Sequence, residues 1–477
     1  MIVVKNLTKS ILGENLFENV NFKLHKGDKV GLIGKNGGGK TTLLRILLGL
    51  EEYDSGTVDT EKERIAYVPQ EISFGDEETV EEFLKVTGNL NFLPALQKVG
   101  LDKILLDTKI KSLSGGQKTR LSIAKVLLEK PACIFMDEPT NHLDVDGLLW
   151  LEEFIFNFHG IVLVISHDRQ LLENSVNRIL EIDTANKKFF EYIGGYSDYQ
   201  MAKEKREESE EEAFELQQKQ KVKMEQWLVL KKQEATLHAD PAKGKQIRAM
   251  EKRLQREIYD QELKNPKQNK KLEDLELAGG THNAKLILRV TNLSFKFPNL
   301  EKLLFRRLNF EIRGTQRILM SGKNGSGKTT LIKILLGNIL LTEGEIKIGE
   351  NISIGYFSQE HVFKDFEKSV LDDFSDQTNT GIQESKNILG TFLFSGNNVN
   401  KKIKDLSYGE RVRLIFAKLI NSKNDLLILD EPTNHLDISS REAIEEALIN
   451  YKGALLVVSH DRYFIETINL DKNLKLL

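Results

Sequence analysis

Two hydrophobic patterns recur along the chain, and a third separates them. Short, mostly unbroken apolar runs lie at residues 29–33, 133–136, 161–165, 317–320, 426–429 and 455–458. Runs of that length predict strands buried on both faces of a mainly parallel sheet. Between them Leu43, Leu44, Ile46 and Leu47 fall at helical spacing, as do Leu331, Ile332, Ile334 and Leu335 and the stretches 121–128 and 414–420. That alternation predicts α/β architecture. From residue 196 to 285 the apolar positions thin out and Lys, Glu, Gln and Arg dominate, with Pro only at 241 and 266. Phe214, Leu216, Val222, Met224, Trp227, Leu228 and Leu230 form one candidate seam, against Ile247, Met250, Leu254 and Ile258. The stretch predicts an antiparallel helical hairpin broken at residues 239–244. Its first arm, 197–238, would extend about 60 Å at roughly 1.5 Å per residue. No run approaches the roughly 18 apolar residues that cross a bilayer.

The outer patterns are copies of each other. Gly34-Lys35-Asn36-Gly37-Gly38-Gly39-Lys40-Thr41-Thr42 returns as Gly322-Lys323-Asn324-Gly325-Ser326-Gly327-Lys328-Thr329-Thr330. Asp137-Glu138-Pro139-Thr140-Asn141-His142-Leu143-Asp144 returns as Asp430-Glu431-Pro432-Thr433-Asn434-His435-Leu436-Asp437, and Ser166-His167-Asp168-Arg169 as Ser459-His460-Asp461-Arg462. The offset is 288 at the first glycine and 293 at both later blocks, so two collinear domains differ by one small insertion. The predicted organisation is 1–195, a first α/β nucleotide-binding domain; 196–285, the helical linker; and 286–477, a second nucleotide-binding domain.

Gly-x-x-x-x-Gly-Lys-Thr between a strand and a helix is a phosphate-binding loop. Its glycines let backbone amides turn toward an anion, and the helix start adds partial positive charge. Lys40 and Lys328 reach the terminal phosphates, and Thr41 and Thr329 can hold Mg²⁺. Asp137 and Asp430, at strand ends, suit the same Mg²⁺. Glu138 and Glu431 stand next in line to activate a water against the γ-phosphate. His167 and His460 end another buried strand and read as γ-phosphate contacts. Ser114-Gly115-Gly116-Gln117 and Ser407-Tyr408-Gly409-Glu410 open helices and form a second anion-binding element.

In this order the motifs resemble the ATP-binding cassette family. The resemblance implies ATP as the nucleotide, places Gln70 and Gln359 beside the Mg²⁺, and lets the Ser-Gly-type signature of each domain close on nucleotide held by the other. Ser407 would then cap ATP on Lys40, and Ser114 would cap ATP on Lys328, within a monomer whose two cassettes form an intramolecular dimer. Tyr408 and Glu410 depart from the first copy, so the two sites are expected to be unequal. Phe297 is placed to stack on adenine in the second half, where the first half has Ile11.

Charge gives the linker its meaning. The whole chain carries 68 basic and 71 acidic residues, a net of −3, which argues against a surface that is a nucleic-acid footprint throughout. Locally the picture reverses: between Gln217 and Arg256, eleven basic residues starting at Lys219 face four acidic ones, a net of +7. A basic segment on a long projection suits folded RNA. Two cassettes with Glu-Pro-Thr-Asn-His-Leu-Asp in both, and a linker bearing Ala242-Lys243-Gly244-Lys245, Arg248 and Arg253, resemble the ABC-F subfamily. That resemblance implies binding at the ribosomal E site and contact with rRNA. It also implies that the linker is pushed toward the P-site tRNA and peptidyl-transferase centre.

Only 43 residues separate Gln70 from Ser114, leaving no room for an extra arm in the first cassette. Housekeeping members of the subfamily it resembles often carry such an arm, so the resemblance implies ribosomal protection against antibiotics rather than a housekeeping factor that regulates elongation or rescues stalled ribosomes. A transporter ATPase with membrane subunits on other chains and a DNA-repair ATPase are further alternatives. Cys133 is the single cysteine, so no disulfide framework exists, and a reducing cytoplasm is expected.

Overall fold

The computed structural model describes the chain apart from residues 12, 62, 71–73, 76, 86–90, 142, 185, 238–240, 261–284, 299–302, 324, 359–362, 364, 435 and 477; for 235–237 and 241–243 it describes backbone alone. The chain divides into two compact units, Met1–Tyr196 with Lys271–Leu477, and Ser197–Lys270.

The first half of the larger unit opens with β1 (Ile2–Ile11), β2 (Glu14–Leu24), β3 (Lys29–Gly34), α1 (Lys40–Leu47), β4 (Ser55–Asp59) and β5 (Ile65–Val68). It continues with α2 (Val80–Lys85), α3 (Leu93–Lys98), α4 (Gly115–Leu128), β6 (Cys133–Asp137) and α5 (Val145–Asn157). It closes with β7 (Ile161–Ile165), α6 (Arg169–Ser175), β8 (Arg178–Asp183) and β9 (Lys188–Ile193). The main sheet has the order β5-β6-β7-β3-β8-β9 and is parallel until β9 pairs antiparallel with β8. A separate antiparallel sheet has the order β2-β1-β4. Every residue of β6 and β7 is buried, as their unbroken apolar runs require.

The smaller unit is a helical pair. α7 (Tyr196–Leu237), whose first residue belongs to the larger unit, lies antiparallel to α8 (Pro241–Leu254) and the single π-turn Gln255–Tyr259 that extends it. Tyr259 Oη donates to Glu225 Oε1 at 2.7 Å, and farther along Lys232 pairs with Glu251 at 2.7 Å. The seam is narrower than the sequence suggests. Leu228, Ile247, Leu254 and Ile258 are buried with Met224, Trp227 and Met250 against them, whereas Leu216, Val222 and Leu230 are exposed. Val222 and Leu230 stand two residues from Met224 and Leu228, about 200° around the helix, and so face away. Residues 239 and 240 of the expected break lie outside the described residues.

The second half comprises β10 (Leu286–Phe295), β11 (Phe305–Arg313), β12 (Arg317–Ser321), α9 (Lys328–Leu335), β13 (Glu343–Ile348) and β14 (Ile354–Phe357). There follow α10 (Val370–Thr378), α11 (Ile382–Thr391), α12 (Tyr408–Asn421), β15 (Leu426–Asp430) and α13 (Ile438–Asn450). Last come β16 (Ala454–Val458), α14 (Arg462–Thr467) and β17 (Lys472–Lys475). The sheet order β14-β15-β16-β12-β17 is parallel throughout and repeats the first, beside an antiparallel β11-β10-β13 sheet. In both halves the strand before the glycine loop lies beside the one that leads into Ser-His, and that one lies beside the strand ending in Asp. All three therefore discharge their chemistry at one carboxyl edge.

Candidate active site

Each glycine loop is folded around its lysine. Lys40 Nζ donates to the carbonyls of Gly34 at 2.7 Å and Lys35 at 3.1 Å; Lys328 Nζ donates to those of Gly322 at 2.8 Å and Lys323 at 3.3 Å. Gly39 and Gly327, at φ 90° and 93°, open α1 and α9 in the left-handed region that a side chain would strain. Thr42 and Thr330 follow on the same first turns. Thr41 Oγ1 donates to Asp137 Oδ2 at 2.8 Å, and Thr329 Oγ1 to Asp430 Oδ2 at 2.9 Å. A hydroxyl and a carboxylate touching beside a phosphate loop are the hard oxygen donors Mg²⁺ prefers, with phosphate and water completing its shell. Among the described residues no group of three or more His, Cys, Asp or Glu could hold a metal ion.

Glu138 and Glu431 are held in left-handed backbone, φ 47° and 49°, by N–H bonds to Ile165 O and Val458 O at 2.9 Å each. Residues other than glycine rarely adopt this conformation, at a cost of about 1–3 kcal/mol, and it concentrates at functional sites. Burial pushes both carboxyls up to about 7, against the pull of Lys40 on one and Lys328 on the other. Oε1 of Glu138 is buried without a hydrogen-bond partner among the described residues. His167 Nε2 lies 3.4 Å from that oxygen and 3.2 Å from Asn36 Oδ1 on the glycine loop. His460 Nε2 lies 3.5 Å from Glu431 Oε1, and its backbone N–H donates to Glu431 Oε2 at 3.3 Å. Burial holds His167 well below its usual range and His460 down at about 4, so both are neutral at pH 7.

The two halves face each other through these motifs. Asp437, in the second half, accepts a bond from the backbone N–H of Asn36 in the first loop at 3.2 Å. Lys40 feels the charge of Asp437, and Lys328 that of Asp144. Gly115, next to Ser114 at the first signature, lines a cavity of about 370 Å³ together with Gly325, Glu431 and His460. A second cavity of about 290 Å³ is lined by Phe297, Gly327, Lys328, Thr329, Thr330 and Asp430 among others. Phe297 thus stands beside the second glycine loop, T-shaped on Phe295 at 5.1 Å between ring centroids. Ile11, its counterpart, is exposed.

At the signatures the helices begin earlier than their apolar spacing predicts, because Ser114 and Ser407 cap them. Ser114 Oγ accepts from Gln117 N at 3.2 Å while Gln117 Oε1 accepts from Ser114 N at 2.9 Å. Ser407 and Glu410 form the same box at 3.3 and 2.8 Å. Gln70 is exposed beyond the end of β5, and no hydrogen bond among the described residues joins it to Thr41 or Asp137. Asn324 and Gln359 lie outside the described residues. Sequence reasoning missed Tyr67 and Tyr356, raised to about 12 by burial, then by Asp137 and Asp430 respectively. It also left Asp144, Asp437 and Arg441 without roles, although both aspartates end a repeated block.

Comparisons with known proteins give the family. A family model described as "ABC transporter" matches residues 17–141 and 305–434. The chain is 34% identical to Arabidopsis thaliana "ABC transporter F family member 5", over 98% of this chain and 74% of that one. It is 32% identical to "Ribosome protection protein VmlR" of Bacillus subtilis, over 98% of this chain and 85% of that one. It is also 32% identical to "Energy-dependent translational throttle protein EttA" of Escherichia coli, over 95% and 88%. No helix among the described residues is long and apolar enough to cross a membrane. With two cassettes in one chain, a helical pair between them and these relatives, the chain is an ATP hydrolase and belongs to the ABC-F subfamily of the ATP-binding cassette family.

Proposed function

We propose that this protein is a cytoplasmic, ribosome-binding ATPase that protects the ribosome from antibiotics. ATP with Mg²⁺ on Thr41 and Asp137, and on Thr329 and Asp430, closes the two cassettes; Gln70 and Gln359 complete the cation shells. Ser114 and Ser407 cap the nucleotide of the opposite half, Phe297 stacks on one adenine, and Glu138 and Glu431 activate the attacking waters while His167 and His460 contact the γ-phosphates. Hydrolysis then releases the protein. The helical linker, 196–285, enters the E site and presses toward the P-site tRNA and peptidyl-transferase centre.

The observation that carries this reading is the charge of the linker: a net of +7 over residues 217–256 in a chain of net −3. Such a segment attracts phosphate and releases counterions on binding it. The similarity to a relative named as a ribosome protection protein supports it. Equal identity to a protein named as a translational throttle favours a second reading, regulation of elongation.

Sedimentation tests the partner. The Glu138→Gln/Glu431→Gln protein with ATP is expected to travel with ribosomes in a salt-dependent manner; travel with membranes would support a transporter ATPase instead. Drug susceptibility of cells with and without the protein separates protection from throttling. Replacing residues 227–245 by a short Gly/Ser turn is expected to spare ATPase activity and abolish the cellular effect.

A further inference from the structure

The two signatures open α4 and α12 at positions 293 residues apart, and they differ at the first residue of the helix: Gly115 in one, Tyr408 in the other. Gly115 lines the cavity of about 370 Å³ together with Gly325 of the second glycine loop, Glu431 and His460. The counterpart of Gly325, 288 positions earlier, is Gly37 of the first loop. Contacts between the halves repeat with the halves exchanged, Arg169 on Glu445 and Arg462 on Glu152. By the same exchange Tyr408 stands opposite Gly37, at the end of the first site that holds Glu138 and His167.

A chain of contacts leads to the same place. Asn36, next to Gly37, donates its backbone N–H to Asp437 Oδ2 at 3.2 Å, and Asp437 Oδ1 accepts from Ser440 N at 2.9 Å. Ser440 Oγ accepts from Arg413 of α12 at 2.7 Å. A Cβ on Gly409, the neighbour of Tyr408, would meet Ser440 Oγ at 3.5 Å and Leu436 at 3.8 Å. So α12 begins against the turn that touches the first loop. Tyr408 is exposed there, and helical Cα–Cβ bonds tilt toward the N-terminus, which directs its ring ahead of α12. Gly37 leaves room for it: a Cβ added at that glycine would meet nothing within 4 Å.

We propose that Tyr408 is a specificity-determining residue of the ATP site built on Lys40, its phenol Oη donating to an oxygen of the terminal phosphate. The Lys328 site, closed by Gly115, has no such donor. This rests on reading each signature as closing on nucleotide held by the opposite half. The two sites then divide recognition between them. Phe297 offers the Lys328 site a ring for the base, which ATP and ADP share. Tyr408 offers the Lys40 site a donor for the one group that ADP lacks. The Lys40 site therefore tells ATP from ADP, while the Lys328 site mainly holds the adenine.

Photolabelling reads the two sites separately in the whole protein. The Glu138→Gln/Glu431→Gln protein is labelled with a trace of 8-azido-ADP, a probe without the terminal phosphate. Cross-linked peptides are assigned to the first or second half by mass spectrometry, while ATP or ADP is titrated as competitor. Tyr408→Phe keeps the ring and removes the hydroxyl. A hydrogen bond to a charged group is worth enough that this variant is expected to raise the ATP concentration halving first-half labelling by about tenfold. The ADP value and both second-half values should stay nearly unchanged. Tyr408→Gly, which restores the residue of the other signature, is expected to behave alike. A rise for ATP and ADP together, an equal rise in the second half, or a rise in neither half overturns the proposal. Ser407→Ala separates it from the reading beneath it. If Ser407→Ala weakens ATP in the first half and Tyr408→Phe does not, the tyrosine alone is misassigned; if neither does, the exchange of signatures between halves falls as well.

Discussion

Arg169 of the first half donates through Nη1 to Glu445 of the second at 2.8 Å, with side chains only 3% and 6% exposed. The same two positions pair again with the halves exchanged, Arg462 against Glu152. The interface is therefore an internal version of an isologous contact, each residue type meeting its complement twice about a pseudo-twofold axis. Arg169 also lies 4.5 Å over the ring of Tyr463, so a planar guanidinium is both paired and stacked. Each arginine comes two residues after His167 or His460, which ties that histidine's strand end to the opposite half.

Breaking one member should destabilise the facing arrangement strongly. An unpaired buried charge costs about 3–5 kcal/mol, whereas removing both partners together leaves none. Arg169→Met and Glu445→Leu are each expected to lower the nucleotide-free melting temperature. The double variant should lose less than the sum of the two. Calorimetry on all four proteins measures the coupling; strict additivity, within about 0.5 kcal/mol, would show that the pair does not act as a unit.

The hydrolysis rate should report the buried glutamates. A general base works only when ionised, and Glu138 and Glu431 are raised by burial to about 7. Hence kcat/KM, which follows the free enzyme, is expected to fall below an apparent midpoint near 7, approaching tenfold per pH unit. His167 and His460 are held by burial below the usual imidazole range and are already neutral there. The Glu138→Gln/Glu431→Gln protein should lose about 10²- to 10⁴-fold in rate together with the pH dependence. A wild-type profile flat from pH 5.5 to 8 would rule the glutamates out as the titrating groups.

Much of this site was legible because its chemistry is local in sequence. A glycine loop must lie between strand and helix, and an Asp-Glu pair after a buried strand must emerge at the sheet edge, so the sequence alone groups Lys40, Thr41, Asp137 and Glu138. What stayed hidden depends on residues far apart along the chain. Asp437 meets Asn36 across 401 positions, and Arg169 meets Glu445 across 276. No periodicity encodes such pairs; only the duplication hints at them, by repeating both members. Side-chain direction was equally unreadable. Apolar composition places Val222 and Leu230 in the linker seam, but their helical phase turns them to solvent.

Phe297 should matter to one site alone. It lies beside Gly327 and Lys328 in the second half, while exposed Ile11 has no ring to offer. Stacking of a base on an aromatic contributes about 1–3 kcal/mol. Phe297→Ala is thus expected to weaken ATP binding at the Lys328 site by about fivefold to a hundredfold, with hydrolysis of bound ATP nearly unchanged. Equilibrium binding of a fluorescent ATP analogue to the Glu138→Gln/Glu431→Gln background should resolve a strong and a weak site. Equal weakening of both sites, or of neither, would remove Phe297 from base recognition.

The departure from Gln117 to Glu410 at the second signature should be nearly silent for folding at neutral pH, and visible in acid. Both side chains close the same capping box, Gln117 at 2.9 Å to Ser114 N and Glu410 at 2.8 Å to Ser407 N. Burial pushes the Glu410 carboxyl up, but the two Ser407 bonds and the charges of Lys401 and Arg413 outweigh it and hold the group below the usual glutamate range. A depressed carboxyl stabilises the fold fully above its unfolded value, and that contribution is lost as pH falls through the folded one. Glu410→Gln is therefore expected to leave the melting temperature at pH 7 little changed and to flatten its decline between pH 5 and 3.5. Ser407→Ala, which removes the shared cap, should cost about 1 kcal/mol at any pH in that range. If Glu410→Gln destabilised at pH 7 as much as Ser407→Ala, the carboxylate would have a role at this helix start beyond the cap, and the two signatures would differ in more than charge.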